Sequence, residues 1–479
     1  MTESCPAPRR PANLARLADH RILFLNWRDP GHPRAGGAEA YCFEIARRLA
    51  AAGAEVTLFT ARPPGSAAEE RVQGVRVLRH GGSYGVYRAA ALHLLTHRHG
   101  YDAVVDCQNG IPFFSPLFLA RWTAVVMVVH HVHQQQFDRY FRFPMNSVGR
   151  LLEKRVSRLV YRHRPIVTVS PSTRAGIRRE LGFTNPVHLV PNGGPGPSDA
   201  PLPPRSPRPA IAVVSRLVAH KRVDWLLKAA ARAAANWPGL TLDIAGDGPE
   251  LPELRRLAAR YGLADTVTFH GHVDERRKRE LLARAWLTVI PSVAEGWGLT
   301  AIEANTVGTP VLAYDVPGLR DAVRDRQTGW LLTAGGDLAT GLDRALGILA
   351  DADERERIAE RCRAWAGGFS WDASAERMAG VLLGEYRRVE ARRRSRRHPS
   401  NLAVRARFPV RDPEQAARAL GTGVRGTDHW ARTAEGFTLL LGDCDELRAC
   451  AALRRLGYQG ASVALASHVD ELAPTEPTP

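Results

Sequence analysis

Short apolar runs alternate with segments of helical periodicity over residues 21–192. The helical segments include 38–52, which ends at Gly53. The intervening runs are apolar at nearly every position, which is typical of strands that are buried on both faces of a parallel sheet. The pattern therefore predicts a doubly wound α/β domain, with strands at 21–26, 54–60, 75–79, 103–107, 125–129 and 166–170.

A proline-rich segment at 193–209 interrupts this alternation. Its seven prolines cannot join the interior of a sheet or a helix, so we predict a linker there. The alternation then restarts and predicts a second doubly wound domain at 210–371. Its predicted strands include 210–215, 240–245, 267–270 and 287–290, and its predicted helices include 223–235, 250–261, 276–283, 337–350 and 354–366.

The two ends of the chain follow other patterns. Residues 1–20 contain three prolines among small and charged residues and predict a mobile leader. Residues 391–400 form a basic connector. The segment 401–470 has the order βαββαβ, which predicts a small α+β domain of the ferredoxin-like type, and no chemistry is assigned to it.

The composition suits two full hydrophobic cores and a small third one, since 44% of the 479 residues are hydrophobic. No run of about 18 uncharged apolar residues is present, and the N-terminus lacks the apolar core of a signal sequence. The six cysteines are dispersed, with no CxxC pair and no histidine at zinc spacing. We therefore expect a cytoplasmic protein in a reducing compartment, without a structural metal.

The formal net charge of +17 would suit nucleic acid, a membrane or an acidic substrate. However, all but four of the 66 basic residues are arginines, a bias that codon usage explains as well as a ligand does. A nucleic-acid partner is therefore not predicted. Within this bias, a lysine at position 221, five residues after Arg216, indicates that a compact ammonium group is needed there.

Residues 291–312 carry the strongest candidate chemistry. The predicted strand 287–290 runs into a glycine-containing loop with Glu295, and a helix predicted at 298–307 carries Glu303 about two turns along. Arg216 and Lys221 follow the first strand of the same domain, at the edge where a doubly wound sheet binds ligands. Carboxylates accept paired hydroxyls, so one glutamate suits a hexose and the other a ribose.

The two glutamates, which are eight positions apart around E-G-x-G-L, resemble the donor-site signature of the retaining glycosyltransferases of family 4. The resemblance extends over roughly residues 21–390, and includes Arg216, Lys221 and the segments 36–39, 245–249, 269–272 and 308–311. It implies the GT-B fold, in which two Rossmann-like domains face each other across a cleft and a last helix, here 372–390, returns to the first domain. It also implies a nucleoside diphosphate sugar as donor, retention of anomeric configuration, and no metal or other cofactor.

The same resemblance implies roles for individual residues. Glu295 is expected to accept hydrogen bonds from the donor sugar, and Glu303 from the ribose. Arg216 and Lys221 are expected to contact the pyrophosphate. The remaining donor-site positions are expected to act largely through their backbone: Gly296, Gly298 and Leu299 at the signature, Gly36 and Gly37 in the first domain, and Gly271 and Val273 near the base.

Three histidines, at positions 130, 131 and 133, follow the predicted strand 125–129. Members of the family often carry a histidine there that faces the donor sugar or the acceptor, and His130 is the better aligned candidate. A surface cluster is the alternative, whereas metal binding is disfavoured because neighbours on an extended segment point to opposite sides. Asp443 and Asp445 match a metal motif of the other large glycosyltransferase fold, but Asp445 is better placed as a helix cap.

Residues 147–163 predict a basic amphipathic helix, with apolar positions at Val148, Leu151, Leu152, Val156, Leu159 and Val160. Two interpretations are open. The preferred one is a helix packed on the core with a solvated arginine face. The other is peripheral attachment to an anionic membrane.

The sequence thus predicts a retaining glycosyltransferase that acts on a lipid, a secondary metabolite or a polysaccharide. One alternative is a sugar-nucleotide epimerase or hydrolase of the same architecture, which would form product from the donor alone. Another is a non-catalytic basic scaffold, whose salt-dependent binding of polyanions would survive the loss of Lys221 and Glu303.

Overall fold

The computed structural model describes residues 12–33, 35–196, 201–394, 402–410, 412–424, 428–433, 436–442, 444, 446–458 and 460–467. In these ranges the chain forms sheets of eight, six and four strands. The two larger sheets belong to two Rossmann-like units, so the predicted α/β class with two doubly wound domains is confirmed. The predicted motif of Asp443 and Asp445 lies outside the described residues.

The first sheet has the order β3-β4-β2-β1-β5-β6-β7-β8 and is parallel except for the β3–β4 hairpin. The sequence pattern does not predict β3, which is polar, or β8, which has three residues. The strands are β1 (Arg21–Leu25), β2 (Glu55–Thr60), β3 (Glu69–Val72), β4 (Val75–Arg79), β5 (Ala103–Gln108), β6 (Ala124–Val129), β7 (Ile166–Thr168) and β8 (Val187–Leu189).

Helices cover both faces of this sheet. They are α1 (Ala12–Ala15), α2 (Gly37–Ala51), α3 (Gly85–Thr96), α4 (Gln134–Tyr140), α5 (Met145–Leu151), α6 (Ser157–Val160) and α7 (Pro171–Gly176). A 3₁₀ turn at Ser115–Leu117 and π-helical turns at Leu152–Val156 and Ile177–Leu181 complete the set. The buried side of α2 joins the core on one face of the sheet, whereas α3 and α6 join the core on the other face.

The second sheet is parallel throughout and has the order β11-β10-β9-β12-β13-β14. Its strands are β9 (Ala210–Val214), β10 (Thr241–Ala245), β11 (Val267–Gly271), β12 (Leu287–Ile290), β13 (Val311–Tyr314) and β14 (Gly329–Leu332). The chain proceeds outward from β9 in one direction and from β12 in the other. Ligands of doubly wound sheets bind beyond the carboxyl ends of such a central strand pair.

The helices of this unit are α8 (Val223–Ala233), α9 (Leu251–Arg260), α10 (Glu275–Arg284), α11 (Leu299–Thr306), α12 (Leu319–Ala322), α13 (Leu338–Ala350) and α14 (Ala352–Ala366). A 3₁₀ turn at Ala219–Lys221 precedes α8. The long helix α15 (Trp371–Arg394) then packs against α2 and β6 of the first unit. Arg164 of the first unit lies 2.9 Å from the Glu385 carboxylate of α15, so this helix joins the two units.

Residues 12–20 differ from the predicted mobile leader. Helix α1 packs against α15, and Leu14 and Leu17 are buried. The backbone N–H groups of Asn13 and Leu14 donate to the Glu376 carboxylate at 2.7 and 3.1 Å. The prediction is therefore wrong for this part of 1–20, because two leucines there pack on the core although prolines precede them.

The helical segment from α5 to α6 buries a different side from the one that the preferred prediction placed inward. Its buried positions are Gly149, Glu153 and Ser157, whereas its exposed positions include Val148, Leu151 and Leu159. The interpretation of the whole apolar stripe as core is wrong, because a buried carboxylate with protein partners occupies the inward side. Leu152, Val156 and Val160 are half-buried, and of these Val160 packs against the core. Among the described residues, no helix has both the length and the apolar character that crossing a membrane requires.

The C-terminal unit consists of β15 (Leu402–Phe408), α16 (Pro413–Gly423), β16 (His429–Thr433), β17 (Gly436–Gly442), α17 (Glu446–Arg455) and β18 (Ser462–Ser467). Its antiparallel sheet has the order β16-β17-β15-β18. The predicted βαββαβ order is confirmed. In each βαβ half, the two strands are separated in the sheet by one strand of the other half. Both helices pack on one face of the sheet, around Phe408 and Phe437.

Candidate active site

The loop between β12 and α11 carries the two glutamates of the signature. Glu295 lies in the loop, and Gly298, with a φ of 98°, leads into α11 at Leu299. A positive φ favours glycine, which explains this residue of the signature. Glu303 is the fifth residue of α11 and lies about one turn into the helix. The predicted two turns are wrong, because the five steps from residue 298 to Glu303 span only about 1.4 turns at 3.6 residues per turn.

Lys221 and Glu295 meet at the carboxyl ends of β9 and β12. The Lys221 ammonium donates to Oε1 of Glu295, and both side chains are largely buried. The two segments are also joined through their backbones, since the N–H of Val293 donates to the carbonyl of His220 at 3.0 Å. The structure therefore brings this predicted cation and carboxylate into direct contact.

A second lysine contacts the second glutamate. Nζ of Lys278, in α10, lies 2.7 Å from Oε1 of Glu303 and 2.8 Å from the exposed Glu275 carboxylate. Burial alone would lower the pKa of Lys278, but its ion pairs with Glu303 and Glu275 outweigh this effect and raise the pKa. Lys278 is not among the site residues predicted from the sequence. The sequence does contain a signal for it, since Lys278 is one of only four lysines in an arginine-rich chain.

Arg216 faces the first domain. Its charge acts on Glu39 of α2, which also lies 3.9 Å from the Arg28 guanidinium. Burial raises the pKa of Glu39, while Arg28 and Arg216 oppose this shift. The charge of Arg216, which follows β9 in the second domain, thus acts on a carboxylate of α2 in the first domain.

Gly36 and Gly37 are expected from the sequence to offer backbone N–H groups to a ligand, and the structure differs from this expectation at Gly36. The N–H of Gly36 donates to the Glu39 carboxylate at 2.8 Å, in a capping arrangement at the start of α2. Gly37 is the open position, since an added Cβ would meet nothing within 4 Å. The N–H of Gly36 is therefore already used within the protein, whereas the space around Gly37 is open.

Gly296 lies where the two domains touch. A Cβ at this position would lie 2.5 Å from the carbonyl oxygen of His130 in the first domain. A second contact nearby joins the N–H of Ser172 to the Asp321 carboxylate at 2.9 Å. The loop between β12 and α11 is thus packed directly against the end of β6, and the absence of a side chain at Gly296 permits this approach.

His130 is buried, so the alternative of a surface histidine is wrong for this residue. Its ring packs edge-on against Tyr41 at 4.9 Å, and its Nε2 lies 3.9 Å from the thiol of Cys42. Burial lowers the pKa of His130 to about 3, so the imidazole is neutral near pH 7. His133 lies beside the α5–α6 segment, since its backbone N–H donates to the Glu153 carboxylate at 2.7 Å.

Gly271 and Val273 lie at the far edge of the second sheet. Gly271 ends β11, which is separated from β12 by β10 and β9, and it has a φ of 66°. Its carbonyl accepts a bond from the N–H of Gly246 at 2.7 Å. Gly271 and Val273 therefore lie at the same carboxyl edge of the sheet as the two lysine–glutamate pairs, but two strands away from them.

Comparison with known proteins places these features in a family. A family model described as Glycosyltransferase Family 4 matches residues 35–193, and another described as Glycosyl transferases group 1 matches residues 198–365. A D-inositol 3-phosphate glycosyltransferase of Streptomyces griseus is 30% identical over 465 residues, which cover 82% of this chain and 92% of the relative. A glycogen synthase of Mycobacterium tuberculosis is 29% identical, with 77% of this chain and 95% of the relative covered.

Solved structures share the fold. A sucrose-phosphate synthase from Thermosynechococcus elongatus aligns with a TM-score of 0.64 and 24% identity, over 78% of this chain and 100% of the other. Alr3699/HepE from Anabaena, solved with UDP-glucose, aligns with a TM-score of 0.59 and 19% identity, over 76% of this chain and 100% of the other. On the family models, the full-length relatives and this shared fold, the chain belongs to glycosyltransferase family 4, with the GT-B architecture.

Proposed function

We propose that this glycosyltransferase moves a sugar, with retention of configuration, from a nucleoside diphosphate sugar to a hydroxyl group of an acceptor. The observation that supports the proposal is the pairing of each signature glutamate with a lysine, Lys221 with Glu295 and Lys278 with Glu303. Both pairs lie beyond β9 and β12 or on the helices that flank these strands, where doubly wound sheets bind nucleotides. Such a site offers acceptors for hydroxyls beside cations for phosphates.

Lys221 acts in this proposal as a bridge between the donor sugar and the leaving diphosphate. An ammonium group has three N–H donors, and Glu295 uses one of them, so the others suit phosphate oxygens. The amino terminus of α11, at Gly298 and Leu299, adds backbone N–H groups and a favourable dipole. These groups stabilise negative charge that develops as the sugar–phosphate bond breaks.

Glu303 binds the ribose, and Lys278 balances its charge. Without that balance, a carboxylate beside a diphosphate would repel the donor. Arg216 contributes positive charge on the side of the cleft that faces α2. Because these fixed cations and the helix terminus supply the charge stabilisation, we expect transfer to continue in the presence of a metal chelator.

The acceptor approaches from the first domain, next to the end of β6. It attacks on the face of the departing diphosphate, and an oxygen of that diphosphate takes the acceptor's proton. His130, whose imidazole is neutral, exchanges hydrogen bonds there without adding charge. The named relatives act on an inositol phosphate or on glycogen, and a hydroxyl-rich acceptor of this general kind is proposed here.

The first test is a panel of nucleotide sugars in thermal-shift experiments with the whole chain. A donor at about 100 times its Kd should stabilise the protein by about 2.7 kcal/mol. That donor is then incubated with candidate acceptors, and the anomeric configuration of the product is determined by proton NMR. Absence of a stabilising donor rejects the proposal, product formed without acceptor favours an epimerase or hydrolase, and an inverted product rejects retention.

A matched pair of variants tests the role of Glu303. Glu303→Gln and Glu275→Gln each remove one carboxylate from Lys278, but Glu275 is exposed at the surface of α10. Donor KM should rise in Glu303→Gln and stay close to wild type in Glu275→Gln. Equal changes in the two variants would show that only the charge of Lys278 matters and that Glu303 has no contact with the donor.

A further inference from the structure

The segment from residue 143 to the end of α6 presents large apolar side chains to solvent. Phe143 is 82% exposed, Leu159 67% and Leu151 47%. These residues flank or belong to the helical segment that includes α5, the π-helical turn Leu152–Val156 and α6. Single exposed leucines are ordinary on protein surfaces, whereas several on one side of one helix mark an interaction site.

A buried carboxylate holds this side outward. Glu153 is fully buried, and its carboxylate accepts hydrogen bonds from the side chains of Gln108 at 3.1 Å and Gln134 at 2.6 Å and from the N–H of His133 at 2.7 Å. Gly149, one turn earlier, lies against the ring of Phe137. Rotating the helix to bury its leucines would break these bonds and expose polar groups that are now paired.

Exposed cations lie among the exposed apolar residues. Lys154, Arg155 and Arg158 are exposed on the same helical segment, and so is Arg162 just after it. The only acidic residue in the range 141–164 is Glu153, which faces the interior. The Asp138 carboxylate of α4 pairs with Arg150 at 2.9 Å beside this surface, which thus carries apolar area together with a net positive charge from Lys154, Arg155, Arg158 and Arg162.

We propose that this surface docks on an anionic phospholipid bilayer. We call it the basic apolar face and define it by Phe143, Leu151 and Leu159 with Lys154, Arg155 and Arg158. At a bilayer surface, apolar side chains of such a helix enter the boundary between headgroups and acyl chains, while lysine and arginine remain among anionic headgroups. The charge and the apolar area of the face are each used by this one partner.

Other partners use only part of the face. A nucleic acid would pair with the cations but would leave the leucines in water. A second copy of the chain, packed through the same face, would bring like charges together across the interface. The bilayer surface thus accounts for both features, and the two other partners become outcomes of the test below.

Sedimentation with vesicles tests the proposal on the whole chain. The protein is mixed with vesicles of phosphatidylcholine containing phosphatidylglycerol, and with vesicles of phosphatidylcholine alone. We expect binding to the first and little to the second, with weaker binding as salt is raised. Wild-type protein that stays in the supernatant with both kinds of vesicle overturns the proposal.

Two variants separate the apolar and the charged contributions. Leu151→Ser/Leu159→Ser should weaken binding by roughly 10-fold for each leucine that enters the lipid. Arg155→Gln/Arg158→Gln should weaken it by about 5-fold for each charge, since a cation near such a surface contributes about 1 kcal/mol. All four side chains face solvent, so melting temperatures should remain near wild type.

Matched controls come from other exposed surfaces. Leu447 is 84% exposed on α17, and the Arg256 and Arg276 side chains are exposed on α9 and α10 of the second domain. Leu447→Ser and Arg256→Gln/Arg276→Gln should leave vesicle binding unchanged. Equal losses in control and test variants would overturn the proposal, because binding would then follow net charge or surface polarity in general.

Two further results would also overturn it. One is vesicle binding that the serine variants retain while the glutamine variants lose it, in parallel with binding to a single-stranded oligonucleotide, which would identify a polyanion site. The other is a wild-type dimer in analytical ultracentrifugation that becomes monomeric in Leu151→Ser/Leu159→Ser, which would identify a contact between copies. Neither result bears on the donor site, so the proposed transfer reaction is tested separately.

Discussion

Lys278→Met is the sharpest test of how the donor site is charged. The Lys278 ammonium lies between the Glu303 and Glu275 carboxylates, at 2.7 and 2.8 Å. Methionine keeps most of the length of the side chain and its apolar stem but removes the positive charge. Glu303, whose side chain is only 12% exposed, would then lose its Lys278 partner and face an anionic donor.

The magnitude follows from the burial of the pair. Removing one partner of a fully buried ion pair costs about 3–5 kcal/mol. Here the Lys278 and Glu303 side chains are 16% and 12% exposed, so water screens part of the interaction, and we expect a loss of about 1–2 kcal/mol. For a domain of this size that corresponds to a drop of roughly 2–8 °C in Tm. Donor KM should rise roughly 10-fold, whereas kcat should change little, since the pair is proposed to contact the ribose and not the reacting bond.

The assay measures kcat, donor KM and Tm for wild type, Lys278→Met and Lys228→Met. Lys228 is an exposed lysine of α8 and supplies the matched control, because its substitution removes the same charge away from the site. Unchanged donor KM in Lys278→Met would refute the proposed charge balance. A loss confined to kcat would also refute it, because it would assign Lys278 to the chemical step.

Three further predictions concern the donor loop and the residue behind it. Glu295→Ala should lower kcat at least about 100-fold, while Tm should fall no further than in Lys278→Met, since the Lys221 and Glu295 side chains are similarly exposed, at 17% each; near-normal turnover would exclude the proposed role. Gly296→Ala should cost about 1–3 kcal/mol or separate the domains, because its Cβ would lie 2.5 Å from the His130 carbonyl; Gly347→Ala, with nothing within 4 Å, is the control in thermal unfolding. Burial lowers the pKa of His130 from 6.5 to about 3, so between these values the unfolded chain binds a proton that the folded chain does not. Stability should therefore fall as pH decreases through this window, by up to about 1.4 kcal/mol per pH unit, and the slope should be smaller in melts of His130→Asn.

The strands and the glutamate pair could be predicted because their information is local. The strand β12, Gly298 with its positive φ and the start of α11 follow one another within a few residues, and each has a characteristic residue type. The same holds for the βαββαβ order of the C-terminal unit. The strands β3 and β8 lack such a pattern, since one is polar and the other is short, and only pairing with neighbours defines them.

Features that depend on contacts between distant segments could not be predicted. The helical segment around Glu153 has apolar residues at helical spacing, and periodicity alone assigns them to the core. The side chain that decides its orientation is Glu153, whose partner Gln108 is 45 residues away in sequence. Leu14 and Leu17 are similar, because nothing near them in sequence indicates that α15 covers them.

Lysine and arginine usage connects the sequence with the chemistry of the site. Two of the four lysines contact the two signature glutamates, in a chain that otherwise uses arginine. Arginine would bind a carboxylate through two parallel N–H groups and occupy both oxygens. In both observed pairs the lysine contacts Oε1, so Oε2 keeps its capacity to accept a sugar hydroxyl. A point charge thus holds each glutamate in place through one oxygen without competing for the whole carboxylate, which is a physical reason for lysine at these two positions.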